Sequence, residues 1–187
     1  MSWGAFAIAL WLAIGLDRGI AAVLGLGGSG VQPSFLLPLI VFIGMYAPAR
    51  TATAAACIAG LLLDLLSPRS LPGGGLVFVP GPNALGLTLA VQFVLGARGI
   101  VLLNSPITIV VLTPVAGAVW HVVATSVLTI REFYDPIGFE ALPTLGARVL
   151  DALYSAITAL VLWFPLFWSA AVFRFDSPHV ARWLSRR

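Results

Sequence analysis

Four stretches free of Asp, Glu, Lys and Arg dominate the chain: Gly19 to Ala49 (31 residues), Ser70 to Ala97 (28), Gly99 to Ile130 (32) and Ala152 to Phe173 (22). A membrane-crossing helix needs about 20 consecutive apolar residues. No single feature constrains the fold more, because runs this long leave too little polar surface to face water. Of 187 residues 60% are hydrophobic and 9% charged, against about 25% charged in a soluble domain. The balance excludes an ordinary cytosolic enzyme, a secreted disulfide scaffold and a disordered tail. The single cysteine, Cys57, sits inside an apolar run and offers neither an intramolecular disulfide nor a cysteine metal cluster. All 10 basic residues are arginines in a net charge of +3. They fall in short connections and near the C-terminus, as in the flanks of membrane spans, and form no basic face that would read nucleic acid.

Glycine and proline clusters divide the windows, and the result is an all-α, polytopic membrane protein of about six helices in one domain. The expected spans are Trp3 to Leu26, Pro33 to Tyr46 (short), Thr51 to Leu66, Asn83 to Arg98 or Leu103, Ile107 to Ile130 and Val149 to Phe173. Residues 174–187 form a basic tail. The windows are continuously apolar, whereas barrel strands would alternate over about 10 residues. Leu76 to Val79 is a weak strand candidate between breakers. The N-terminal run lacks a basic start and a small-x-small cleavage site, so it reads as a retained first span. With the tail in the cytoplasm, six of the ten arginines lie inside and three outside. Both termini are therefore expected to be cytoplasmic.

Asp17, Arg18 and Asp64 fall inside expected spans, where a charge near the bilayer centre costs at least about 2.5–3.5 kcal/mol and usually finds a partner. Asp17 lies about 21 Å beyond Trp3 and Asp64 about 20 Å beyond Thr51 at 1.5 Å per residue, so the two acids reach similar depths. Ala52, Ala56, Gly60 and Asp64 are four apart and share one helix face, and small residues at that spacing let another helix approach closely. The expectation is an ion pair from Arg18 to Asp64 that locks the first helix to the third. The alternative is a proton or solute site. His121 reaches a similar depth beside Trp120, either as a packing residue or as a titrating member of this polar cluster, and Gln92 reads as an interhelical hydrogen-bonding residue.

No catalytic constellation is legible. Gly25, Gly27 and Gly30 match G-x-G-x-x-G, but within an apolar helix followed by proline rather than a βαβ unit. H-E-x-x-H, G-x-S-x-G and P-loop patterns are missing, and His121 and His179 lie far apart, so no metal, cofactor or enzymatic activity is expected. An intramembrane enzyme would need a nucleophile and base at matched depth. In the tail, Phe173, Phe175, Trp183 and Leu184 among arginines could rest on anionic lipid or simply anchor the topology.

The stretch from Pro33 to Pro106, about two fifths of the chain, resembles the bacterial rod-shape-determining MreD family. The matching residues are Leu36-Leu37-Pro38-Leu39, Ala59-Gly60-Leu61-Leu62-Leu63-Asp64-Leu65-Leu66, Gly81-Pro82-Asn83-Ala84-Leu85-Gly86, Arg98 and Ser105-Pro106. The resemblance implies a non-enzymatic scaffold in the bacterial inner membrane, within the lateral peptidoglycan-synthesis complex. It implies as partners an MreC-like protein, the wall polymerase and transpeptidase pair and, indirectly, the MreB-like filament. The family is similar in architecture to the substrate-binding subunits of energy-coupling-factor vitamin transporters. A solute-binding transport subunit is therefore the rival expectation, with a pocket lined by Asp17, Asp64 and His121. Under the scaffold reading the expected partner surfaces are Gly27 to Gly30, Arg69 to Pro82 and Arg131 to Arg148.

Overall fold

Leu36 to Tyr46 are all buried, eleven residues in one helix. A helix apolar on every side has no solvent face and belongs at the centre of its fold. The computed structural model describes residues 1–25, 30–70, 74–101, 105–134 and 141–173. In chain order it contains α1 (Trp3–Val23), α2 (Leu36–Tyr46), α3 (Ala49–Leu66), the two-residue strands β1 (Arg69–Ser70) and β2 (Leu76–Val77), α4 (Pro82–Ala97), α5 (Pro106–Glu132) and α6 (Ala141–Phe173). Helix α2 touches each of the other five. The strongest helix pairings are α5 with α6, α3 with α4 and α4 with α5.

The fold is all-α apart from the hairpin, in which Arg69 pairs with Val77 and Ser70 with Leu76. Among the described residues four helices, α1, α3, α5 and α6, are long and apolar enough to cross a membrane, while α2 and α4 are shorter. Helix α1 turns Ile8, Trp11 and Leu12 outward, and α6 turns Phe164 and Trp168 outward, each more than 60% exposed. Apolar faces of that width suit acyl chains rather than water. Ser2 N–H donates to Phe173 O at 2.7 Å, which puts the start of α1 and the end of α6 at one end of the bundle.

Boundaries moved where apolarity and helicity part. The sixth helix was expected from Val149 but begins at Ala141, because backbone hydrogen bonding continues through Thr144 and Arg148, beyond the apolar run. Pro143 is tolerated there, since first-turn N–H groups need no intrahelical acceptor. The glycine-rich Gly27 to Ser29, the acids Asp135 and Glu140, and the basic tail with His179 lie outside the described residues.

The Ala52, Ala56, Gly60, Asp64 stripe is buried, but its neighbour is α4, not α1. A Cβ on Gly60 would stand 2.4 Å from Ala84 Cα and 2.6 Å from Asn83 O, both backbone atoms that cannot swing aside. Gln92 Nε2 bonds Thr53 Oγ1 at 2.8 Å along the same α3–α4 seam. Gly60→Ala should therefore lower stability by about 1–3 kcal/mol, the usual cost of overpacking. Gly15→Ala, with nothing within 4 Å of its added Cβ, should be neutral or slightly stabilising. Thermal melts of both variants in detergent check this, and equal melting temperatures would count against the close α3–α4 contact.

Candidate functional site

Helix α2 rises only about 16 Å at 1.5 Å per residue, about half of a hydrocarbon core near 30 Å thick. Its first turn therefore lies inside the bundle with orphan N–H groups that need acceptors. Asp17, on α1, supplies them. Its carboxylate accepts from Phe35 N at 2.5 Å, Leu36 N at 3.3 Å and Ser34 Oγ at 3.2 Å. Ser34 Oγ in turn accepts from Leu37 N at 3.2 Å. A carboxylate at a helix N-terminus also meets the positive end of the helix dipole, a gain of up to about 2 kcal/mol when partly buried.

The extended segment before α2 is satisfied from α6. Gln32 N donates to Asp151 Oδ1 at 2.7 Å and Ser34 N to Ser155 Oγ at 2.8 Å, while Thr158 Oγ1 donates to Ser34 O at 2.8 Å. Asp151, Ser155 and Thr158 are all buried. Their i, i+4, i+7 spacing places them on one face of α6. Non-helical backbone at membrane depth survives only where protein or a cavity covers it, and this stripe covers it. Sequence reasoning missed these three residues, although three polar side chains in register on an otherwise apolar helix are a readable signal.

Asp64 does the same for α4. Its carboxylate accepts from Gly81 N at 2.8 Å, Asn83 N at 3.1 Å, Ala84 N at 3.3 Å and Asn83 Nδ2 at 2.9 Å. Gly81 turns the chain here at φ +122°, a conformation that favours glycine. Asn83 Oδ1 accepts from Trp120 Nε1 at 3.0 Å, and the Trp120 ring stacks on His121 with centroids 4.3 Å apart.

The expected Arg18–Asp64 pair is not formed. Arg18 Nη2 donates to Leu66 O at 2.5 Å and Ser67 Oγ at 3.0 Å, closing the C-terminus of α3. Arginine suits the negative end of a helix, and Asp64 already has four donors of its own. Arg18 still ties α1 to α3, but through main-chain carbonyl rather than carboxylate. At the far end of α2, Arg98 donates to Gly44 O from Nε at 2.5 Å and also from Nη2, and to Ala47 O at 2.6 Å.

Asp17, Arg18 and His121 meet at one cavity of about 600 Å³, with Arg69, Arg148 and Asp151 also in its wall. Asp64 is not in that wall; it reaches the site through Asn83. Arg148 Nη1 stands 3.5 Å from Asp151 Oδ2, with its own side chain 54% exposed. His121 is 7% exposed and has no hydrogen-bond partner among the described residues. No group of three His, Cys, Asp or Glu side chains able to hold a metal ion occurs among the described residues. The polar groups of the site thus build backbone corners beside a cavity whose described wall includes Arg18, Arg69 and Arg148.

Removing the acceptor at Asp64 should cost more than removing Arg18. Asp64→Ala strands several buried N–H groups, at about 1–3 kcal/mol for each left unsatisfied, whereas the α3 carbonyls near Arg18 are more exposed. A double-mutant cycle of Arg18→Ala and Asp64→Ala should give a coupling below about 0.5 kcal/mol, and a larger coupling in unfolding experiments would restore the direct pair. Compared with family models, curated proteins and solved structures, the chain matches none.

Proposed function

We propose that the chain is a non-enzymatic scaffold of the bacterial lateral wall-synthesis machinery, an MreD-type subunit of the cytoplasmic membrane. The observation that carries this reading is what the residues of the resemblance do. Asp64 holds the Gly81 to Ala84 corner, Gly60 admits α4, and Arg98 closes α2. All of them assemble the bundle, which fits a protein whose product is a shape. All six helices are embedded in this reading, with α2 and α4 as short spans. The Ser2–Phe173 contact supports both termini lying on one side, the cytoplasmic side by the arginine bias.

The hairpin between α3 and α4 supplies the contact surface. Leu76 is 67% and Phe78 53% exposed, an apolar pair held at the helix ends and away from the core. An MreC-like protein on the outer side is the partner this pair fits, with the wall polymerase and transpeptidase pair alongside and the MreB-like filament coupled indirectly. Leu76→Ser with Phe78→Ser should leave the melting temperature near that of the parent. Recovery of the MreC-like protein on the tagged chain should fall about tenfold, as expected when apolar anchors are lost from an interface. Full recovery with the double variant would overturn the assignment of this surface.

The cavity favours one second reading, a substrate-binding subunit of a small-molecule transporter. Mass spectrometry of the purified protein separates the two. A stoichiometric small molecule without any wall-synthesis partner supports the transporter, and a partner without such a molecule supports the scaffold.

A further inference from the structure

The outer surface of α4 carries hydrogen-bonding groups that its own chain does not use. Helix α4 packs against α2, α3 and α5 and leaves Leu85, Leu89 and Phe93 exposed on its remaining side. Gln92 is exposed on this same side. Its Nε2 donates to Thr53 Oγ1 at 2.8 Å, and Thr53 Oγ1 donates in turn to Ala49 O at 2.9 Å. A primary amide offers two N–H donors and a carbonyl acceptor. Among the described residues nothing meets the second N–H or the carbonyl of Gln92, and nothing meets the Thr88 hydroxyl one turn away.

Depth makes these groups costly to leave unpaired. Thr88 lies about 9 Å and Gln92 about 15 Å along a helix about 24 Å long, at 1.5 Å per residue. Beside α4 runs α3, which is long and apolar enough to cross a membrane. The two are joined by the Thr53 bond and by the close approach of Gly60 to Ala84. With α4 embedded alongside α3, as in the membrane reading above, Thr88 and Gln92 face hydrocarbon, where no water replaces a missing partner. Side chains of this kind pair across helices in membranes. Gly96, four residues beyond Gln92, shares their face. It has open space around its Cβ position, so another backbone has room to come close.

Symmetry selects the occupant. Two copies of one chain inserted with the same topology are related by a two-fold axis along the membrane normal, so each residue finds its counterpart at its own depth. Such an isologous contact is self-complementary. An amide is both donor and acceptor, and pairs with an identical amide through two N–H···O bonds. A different protein would have to carry a polar group of its own at that one height. We propose that the outer face of α4 is the interface of a homodimer, in which the Gln92 amides of the two copies bond each other across the axis and Thr88 and Gly96 line the contact. The proposal rests on the membrane embedding of α4 and not on the wall-synthesis assignment.

The test uses the full chain, fluorescently labelled and reconstituted in lipid vesicles at high dilution, with dimer content read by single-molecule photobleaching. The parent should be dimeric, and Gln92→Leu should raise the dissociation constant about tenfold, the effect of losing an interhelical hydrogen-bonded pair. Gly96→Leu adds bulk where the single chain has space. It should fold with the parent's helical content and yield monomers, and it serves if Gln92→Leu does not fold. In a Cys57→Ala background, Gly96→Cys should cross-link two copies on oxidation, whereas Trp168→Cys, on the exposed face of α6, should not. A monomeric parent, dimers undiminished in the folded variants, or cross-linking through position 168 in place of 96 overturns the proposal. A monomeric parent whose recovery of the MreC-like protein falls with Gln92→Leu also overturns it, and gives the face to that partner's helix. Dimerisation is read on the chain alone, so its failure leaves the hairpin test of the wall-synthesis reading untouched.

Discussion

A helix that stops halfway through its bundle imposes most of what surrounds it. Helix α2 is too short to bring both ends to an aqueous surface, so its orphan N–H and C=O groups must be satisfied by side chains from elsewhere. Asp17 meets the N-terminus and Arg98 the C-terminus. Asp151, Ser155 and Thr158 hold the extended backbone leading in. These partners come from α1, α4 and α6, so the termini of one short helix fix the relative heights of three others. The all-apolar surface of α2 then sets the packing between those heights.

The carboxylates of half-buried Asp17 and of buried Asp64 and Asp151 perform the same task. Asp17, Asp64 and Asp151 each accept main-chain N–H groups where the chain starts a helix or runs extended. In a low-dielectric interior a carboxylate with one to three such donors is far less costly than an isolated charge, because the donors replace lost water. Main-chain hydrogen bonding thus accounts for acids inside otherwise apolar helices.

Much of this was legible in the sequence, for definite reasons. The number of helices followed from charge-free windows and their breakers, and the buried stripe on α3 followed from four-residue spacing. Asp17, Arg18, Asp64 and His121 stood out because charge and imidazole are rare at such depths. Their partners were not legible. The inference from Arg18 to Asp64 assumed that opposite charges seek each other, whereas each found backbone first, Arg18 at Leu66 O and Asp64 at Gly81 N. Sequence periodicity does not reveal which main-chain groups lack partners; that depends on where a helix ends in three dimensions. The polar face of α6 was overlooked for a related reason. Ser155 and Thr158 carry no charge, and Asp151 sat at the edge of an apolar window as though it merely bounded it.

The Arg98 contact with Gly44 and Ala47 has a consequence for biogenesis. Asp17, which caps the start of α2, is synthesised before it, whereas Arg98, which closes its end, and residues 151 to 158, which hold the segment leading in, come later. When α2 first leaves the ribosome it is a half-length hydrophobic segment whose C-terminal carbonyls still lack Arg98, a poor substrate for stable insertion alone. The centre of the molecule must therefore be completed last, once the final helix arrives to receive it, and translation order runs opposite to structural order.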